Sequence, residues 1–135
     1  MGNRAVDSGG LSLIARAFVK TFNRCPICDQ DFLDHSFTVL SVIPADNGKA
    51  VTDLLDKVKN HQWAAASEIR EFEPSQDAIE INVLRCPGKR LAVAIVEDPV
   101  ELYHDPVIID YEVLDDAQSE ELRMVVDQAQ WLPIR

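Results

Sequence analysis

Ile79-Glu-Ile-Asn-Val-Leu-Arg-Cys-Pro-Gly-Lys-Arg-Leu-Ala-Val-Ala-Ile-Val96 holds two strand patterns of different kinds joined by a turn. Its first part alternates: Ile79, Ile81 and Val83 share one side, and Glu80 and Asn82 fall between them, which reads as a strand with one wet face. Its last part, Leu91 to Val96, is apolar throughout and suits a central strand covered on both faces. Between them Pro87-Gly88-Lys89-Arg90 has the chemistry of a hairpin turn.

Working downstream, Val107 to Leu114 gives a further strand, reached through a connection holding Pro99 and Pro106, with a short edge strand expected at 100–103. Asp115 or Asp116 then caps a final helix whose stripe is Leu122, Val125, Val126 and Ala129, and which ends before Pro133 with Trp131 packed near its terminus. Upstream, Phe37 to Ile43 is β-branched and apolar and ends at Pro44, a buried strand. Asp46-Asn47-Gly48 opens a long helical segment with Val51, Leu55, Val58, Ala65, Ile69 and Phe72 on one stripe up to Pro74, broken at Asn60-His61-Gln62. Residues 11–23 read as an amphipathic helix, Leu11, Ile14, Phe18 and Phe22 opposing Arg16, Lys20 and Arg24. The short links of the last three strands favour an antiparallel meander. The class is therefore α+β, an antiparallel sheet of three to five strands with helices packed mainly on one face.

A length of 135 residues suits one domain, expected over 11–135 behind a disordered leader at 1–10. Three cysteines are an odd number, two of them in Cys25-Pro-Ile-Cys28, which speaks against a disulfide scaffold and for a reducing, cytoplasmic setting. The net charge of −10 excludes a phosphate-neutralising nucleic-acid binder. That charge is concentrated. Leu91 to Leu122 holds no Lys or Arg and ten of the 23 acids, leaving 13 acids to match 13 bases elsewhere.

Two thiolates spaced as in Cys25-Pro-Ile-Cys28 can face one metal ion, and Cys86-Pro87-Gly88 offers a second turn of the same kind. These turns resemble the paired knuckles of zinc-ribbon domains, and the resemblance implies structural zinc. Lys89 stands where a fourth cysteine would be, so His35, His61 or His104 must supply the fourth ligand; the candidate set is Cys25, Cys28, Cys86 and His35. The same Cys-Pro-x-Cys also resembles the glutaredoxin active site, which implies dithiol chemistry, but an amphipathic helix precedes it and Asp29 and Asp31 follow it, against thiolate formation. A hard-cation loop at Glu97, Asp98, Glu101, His104 and Asp105 lacks calcium-loop spacing and a central glycine. Nucleophile-elbow, phosphate-loop and zincin motifs are absent, and no catalytic residue is nominated.

These readings lead to a non-enzymatic acidic binding or regulatory module, zinc-stabilised through the cysteines. Its basic protein partner, or the basic N-terminal helix of a second copy in a homo-oligomer, would be met by Glu97, Asp98, Glu101, Asp105, Asp110 and Glu112 gathered into one anionic patch. Two alternatives follow from single features: a small thiol- or metal-dependent enzyme centred on Cys25 and Cys28, and a membrane-peripheral domain attached through residues 11–24.

Overall fold

The computed structural model describes residues 13–100 and 104–135; the expected leader at 1–10, Leu11, Glu101 and most of the expected edge strand at 100–103 lie outside them. The elements are α1 (Leu13–Phe22), β1 (Ser36–Pro44), α2 (Gly48–Lys59), α3 (Trp63–Ser67), β2 (Ala78–Arg85), β3 (Leu91–Asp98), β4 (Val107–Val113), α4 (Asp116–Val126) and β5 (Leu132–Pro133). The strands form one sheet in the order β4-β3-β2-β1-β5, every pair antiparallel. The fold is α+β.

Alternation along β2 and β3 divides the apolar side chains between two cores. Ile79, Ile81 and Val83 join Leu91 and Val93 on the side covered by Leu54 and Val58 of α2, Trp63 and Ala66 of α3, and Leu122 and Val126 of α4. Leu84, Ala92, Ala94 and Val96 face the other way, under Ile14, Ala15 and Phe18 of α1. Among the described residues α2, α3 and α4 thus lie on one face and α1 covers the other. Phe18 is 0% exposed, and burying such a side chain contributes about 1.5–3 kcal/mol.

The cover from α1 changes one expectation and meets another, that the helix docks on the domain's own core. Glu80 and Asn82, expected on a wet face, are 2% and 0% exposed. Among the described residues the side-chain nitrogen and oxygen of Asn82 have no hydrogen-bond partner. The apolar stripe of α1 is itself occupied: Ile14, Ala15, Ala17 and Phe18 are buried in the domain's own core, and Phe22 meets Tyr111 edge-on at 4.8 Å. No described helix is long and apolar enough to cross a membrane.

Strand β1 serves both cores. An unbroken alternation would put Phe37 and Ile43 on one face, but a bulge between Val39 and Ser41 inverts the parity, so Phe37 packs under α1 and Ile43 under α2. Helix α2 begins at Asn47, whose side chain accepts the Ala50 N–H, and stops at the Asn60-His61-Gln62 break, where His61 has φ 56°. The expected helical stripe does not reach Pro74. After α3 the chain runs extended, Val42 N–H bonding to Ile69 carbonyl oxygen and Glu71 N–H to Val42 carbonyl oxygen, because β1 has an open edge beyond the two residues that β5 pairs. Helix α4 opens with a reciprocal box between Asp115 and Gln118.

Candidate metal centre

The site is assembled by three turns. Helix α1 ends at Asn23, whose φ of 62° turns the chain out of the helix. The Cys25-Pro-Ile-Cys28 turn follows and is closed twice, by Asp29 N–H on Cys25 carbonyl oxygen at 2.9 Å and by Cys25 N–H on Gln30 carbonyl oxygen at 2.8 Å. Asp29 takes φ 59° to permit it. The next turn is held by the Asp31 carboxylate, which accepts the Leu33 N–H at 2.9 Å, and by Asp34 at φ 63°, and it delivers His35 to the start of β1. The third turn follows β2 directly, so Cys86 is fixed by the sheet register that pairs Arg85 with Ser36 and Leu91.

The four donors meet. The sulfurs of Cys25, Cys28 and Cys86 and a ring nitrogen of His35 all lie within 4.8 Å of one another. Cys28 Sγ is 3.3 Å from His35 Nε2. A tetrahedral zinc with Zn–S near 2.3 Å sets its sulfurs about 3.8 Å apart, so the cluster closes on such an ion with small side-chain movements.

The surroundings have the chemistry a bound cation needs. His35 Nδ1 lies 2.9 Å from Leu33 carbonyl oxygen, which can only accept, so Nδ1 donates and Nε2 turns its lone pair toward the sulfurs. Backbone N–H groups point at sulfur in both knuckles: Ile27 N–H donates to Cys25 Sγ at 3.3 Å, Cys28 N–H also reaches Cys25, and Gly88 N–H reaches Cys86. Cys25, Cys86 and His35 are buried, beside Phe32 and Phe37; Cys28 is half-buried. Four side-chain donors would fill the four positions of a tetrahedral ion, the ligand number of a structural zinc site.

Burial pushes the Cys25 thiol up to about 11 and the Cys86 thiol upward as well, outweighing the N–H donors that favour their thiolates. Without a cation these sulfurs are neutral near pH 7. Dithiol catalysis needs the opposite perturbation.

The remaining histidines are elsewhere. His61 Nε2 contacts the Glu112 carboxylate at 3.0 Å, and its ring stacks on Trp63 on the α2 side of the sheet; His104 is exposed and outside the cluster. Among the described residues the Cys25, Cys28, His35, Cys86 group is the one set of three or more such donors brought together, so the carboxylates near His104 form no second set.

Among the described residues the acidic stretch is divided between faces of the sheet. Glu97, Asp110 and Glu112 are exposed and share the α2 side by strand alternation with Val93 and Ile95. Asp98 is 3% exposed, on the opposite side, and offers nothing to a surface partner. Asp105 is exposed and lines a hollow of about 480 Å³ beside Arg16, Lys20 and Arg135. Sequence reasoning missed β5 and the Arg85 guanidinium stacked 4.1 Å over the Trp131 ring; Leu132 and Pro133 are too short a strand to announce themselves.

No protein-family model, curated protein or solved structure matches this chain.

Proposed function

We propose that this chain is a zinc-stabilised, non-enzymatic binding module for a basic protein partner. The observation that carries the reading is the closed group of Cys25, Cys28, His35 and Cys86, with its sulfurs met by N–H donors and its histidine oriented from behind. Three soft sulfurs and an imidazole in a small, closed site favour zinc over calcium or magnesium, which prefer oxygen donors. The role of the ion is to fasten the α1 face to the ends of β1 and β2. The choice of partner rests on charge: residues 91–122 contain no Lys or Arg, and Glu97, Asp110 and Glu112 project from one face.

Metal analysis of protein purified without chelators is the direct test, with one zinc per chain expected. A metal-free sample that neither takes up zinc nor changes its melting curve with it would overturn the zinc reading. For the partner, a poly-lysine probe should bind at low salt and be released as salt is raised; salt-independent behaviour would remove the electrostatic reading.

A further inference from the structure

Strand β4 is an edge. It pairs with β3 alone, and among the described residues no strand lies along its outer side. Natural edges of this kind are shielded by lysine, proline or covering elements, because their free N–H and C=O groups template another strand. Here β4 carries no lysine and no internal proline, and its one bulge, at Ile109, lies before Asp110 and leaves Asp110 to Val113 regularly paired with β3; it exposes Val107, Ile109 and Tyr111, three of the seven large hydrophobic side chains exposed among the described residues.

Backbone direction follows from one bond. Leu114 N–H donates to Leu91 carbonyl oxygen at 2.9 Å, so by alternation Glu112 also faces β3, and Tyr111 and Val113 turn their N–H and C=O groups outward. The Tyr111 N–H is held by its neighbour's Asp110 carboxylate at 2.8 Å, as expected for an outward donor with no strand opposite. Beside this edge, on the α2 side, is a groove of about 370 Å³ with Leu55, Val93 and Ile95 in its lining and Asp56, Asp110 and Glu112 as its acids. Among the described residues Lys59 is the one base lining it, and His61 contacts Glu112 at the same end of the sheet.

We infer that the β4 edge and this groove dock an extended segment of a partner, added to the sheet as a sixth strand, with Lys or Arg at alternate positions facing Asp110 and Glu112. Strand addition draws affinity from main-chain bonds and specificity from alternate side chains, the pairing that outward backbone groups beside an acidic, apolar-floored groove offer. A second copy of this chain is a poor occupant. Two β4 strands laid edge to edge would set Asp110 and Glu112 against the same acids, and directly opposed like charges destabilise a strand pair. A basic segment reverses the sign. As it docks, its carbonyl replaces Asp110 at the Tyr111 N–H, and the released carboxylate faces the incoming cation.

This inference rests on the basic-partner reading above, and the experiment separates the two. The full chain is titrated with a fluorescent Lys-Val-Lys-Val-Lys-Val-Lys peptide, with the same peptide methylated on alternate backbone nitrogens, and with poly-lysine, while amide hydrogen exchange is followed residue by residue. The unmethylated peptide should bind, slow the exchange of Val113 and Tyr111 amides, and lose about tenfold or more in affinity on methylation, the worth of one to two backbone hydrogen bonds. The double charge reversal D110K with E112K should weaken it further. Equal binding of both peptides, or protection mapping away from β4, overturns strand addition while leaving the basic-partner reading intact. Failure of every cationic probe overturns both. Protection of Val113 that grows with protein concentration alone assigns the edge to a second copy and overturns the inference.

Discussion

Replacing Cys86 with serine probes the proposed metal centre at the cysteine that directly follows β2. If free zinc is held about a thousandfold above its dissociation constant, mass action stabilises the native state by about 4 kcal/mol. The unfolding entropy near the midpoint is about 2.1 cal/mol/K per residue, so the 135 residues give roughly 0.28 kcal/mol/K. The quotient is a rise in melting temperature of about 14 °C between chelated and zinc-buffered protein, read by scanning calorimetry. C86S leaves two sulfurs and one imidazole, and a serine hydroxyl does not replace a thiolate, so the increment should fall to about a quarter or less at the same free zinc. Because serine also disturbs the packing of a buried thiol, the quantity that matters is the difference between the two curves of each protein. A wild-type curve indifferent to zinc, or a C86S protein with the full increment, would show that the cluster does not hold the ion.

Zinc loading should also release protons. Burial holds Cys25 near 11 and raises Cys86, so both are protonated at pH 7 in the metal-free protein, and at least these two protons should appear in a buffer-dependent calorimetric titration; release of none would mean the sulfurs do not bind. For the metal-free chain the sign of the stability dependence follows: a Cys25 thiol raised in the folded state favours folding below pH 9, and that contribution is lost as pH rises toward 11, which alkaline melting curves would show as a falling midpoint. Away from the metal, Ser119 Oγ is buried and accepts the Leu91 N–H at 2.9 Å, so Ser119→Ala should cost about 1–3 kcal/mol in urea unfolding by orphaning a buried donor; a cost near zero would show that the strand relaxes to another partner.

Periodicity carried most of the sheet. The alternation of Ile79, Ile81 and Val83 and the apolar run from Leu91 are direct imprints of which face each side chain enters, and both strands lie where those patterns put them. The break at Asn60-His61-Gln62 and the cap at Asp115 were legible for local reasons, since caps and breakers act within a turn. Burial of Glu80 and Asn82 was not legible, because it depends on α1 returning from far along the chain to cover that face. Ile69 and Phe72 kept helical spacing by coincidence, while the open edge of β1 drew the backbone around Arg70 into a bridge. At the candidate metal centre the three cysteines could be named from their turns, and His35 was named among three histidines without a local motif to single it out. The Asp31 and Asp34 turn that aims His35 was the available signal, and its meaning depends on where β1 begins.

The order of the four donors along the chain bears on how the molecule is made. Cys25, Cys28 and His35 are near neighbours, while Cys86 comes only after α2, α3 and β2. If the cluster holds an ion as proposed, a newly synthesised polypeptide presents three of its four donors long before the last sulfur exists, and an ion caught early would wait with one side bare. Seating the last thiolate and bringing β2 alongside β1 would then be a single step, so misregistered pairing of those strands would leave the donor set incomplete.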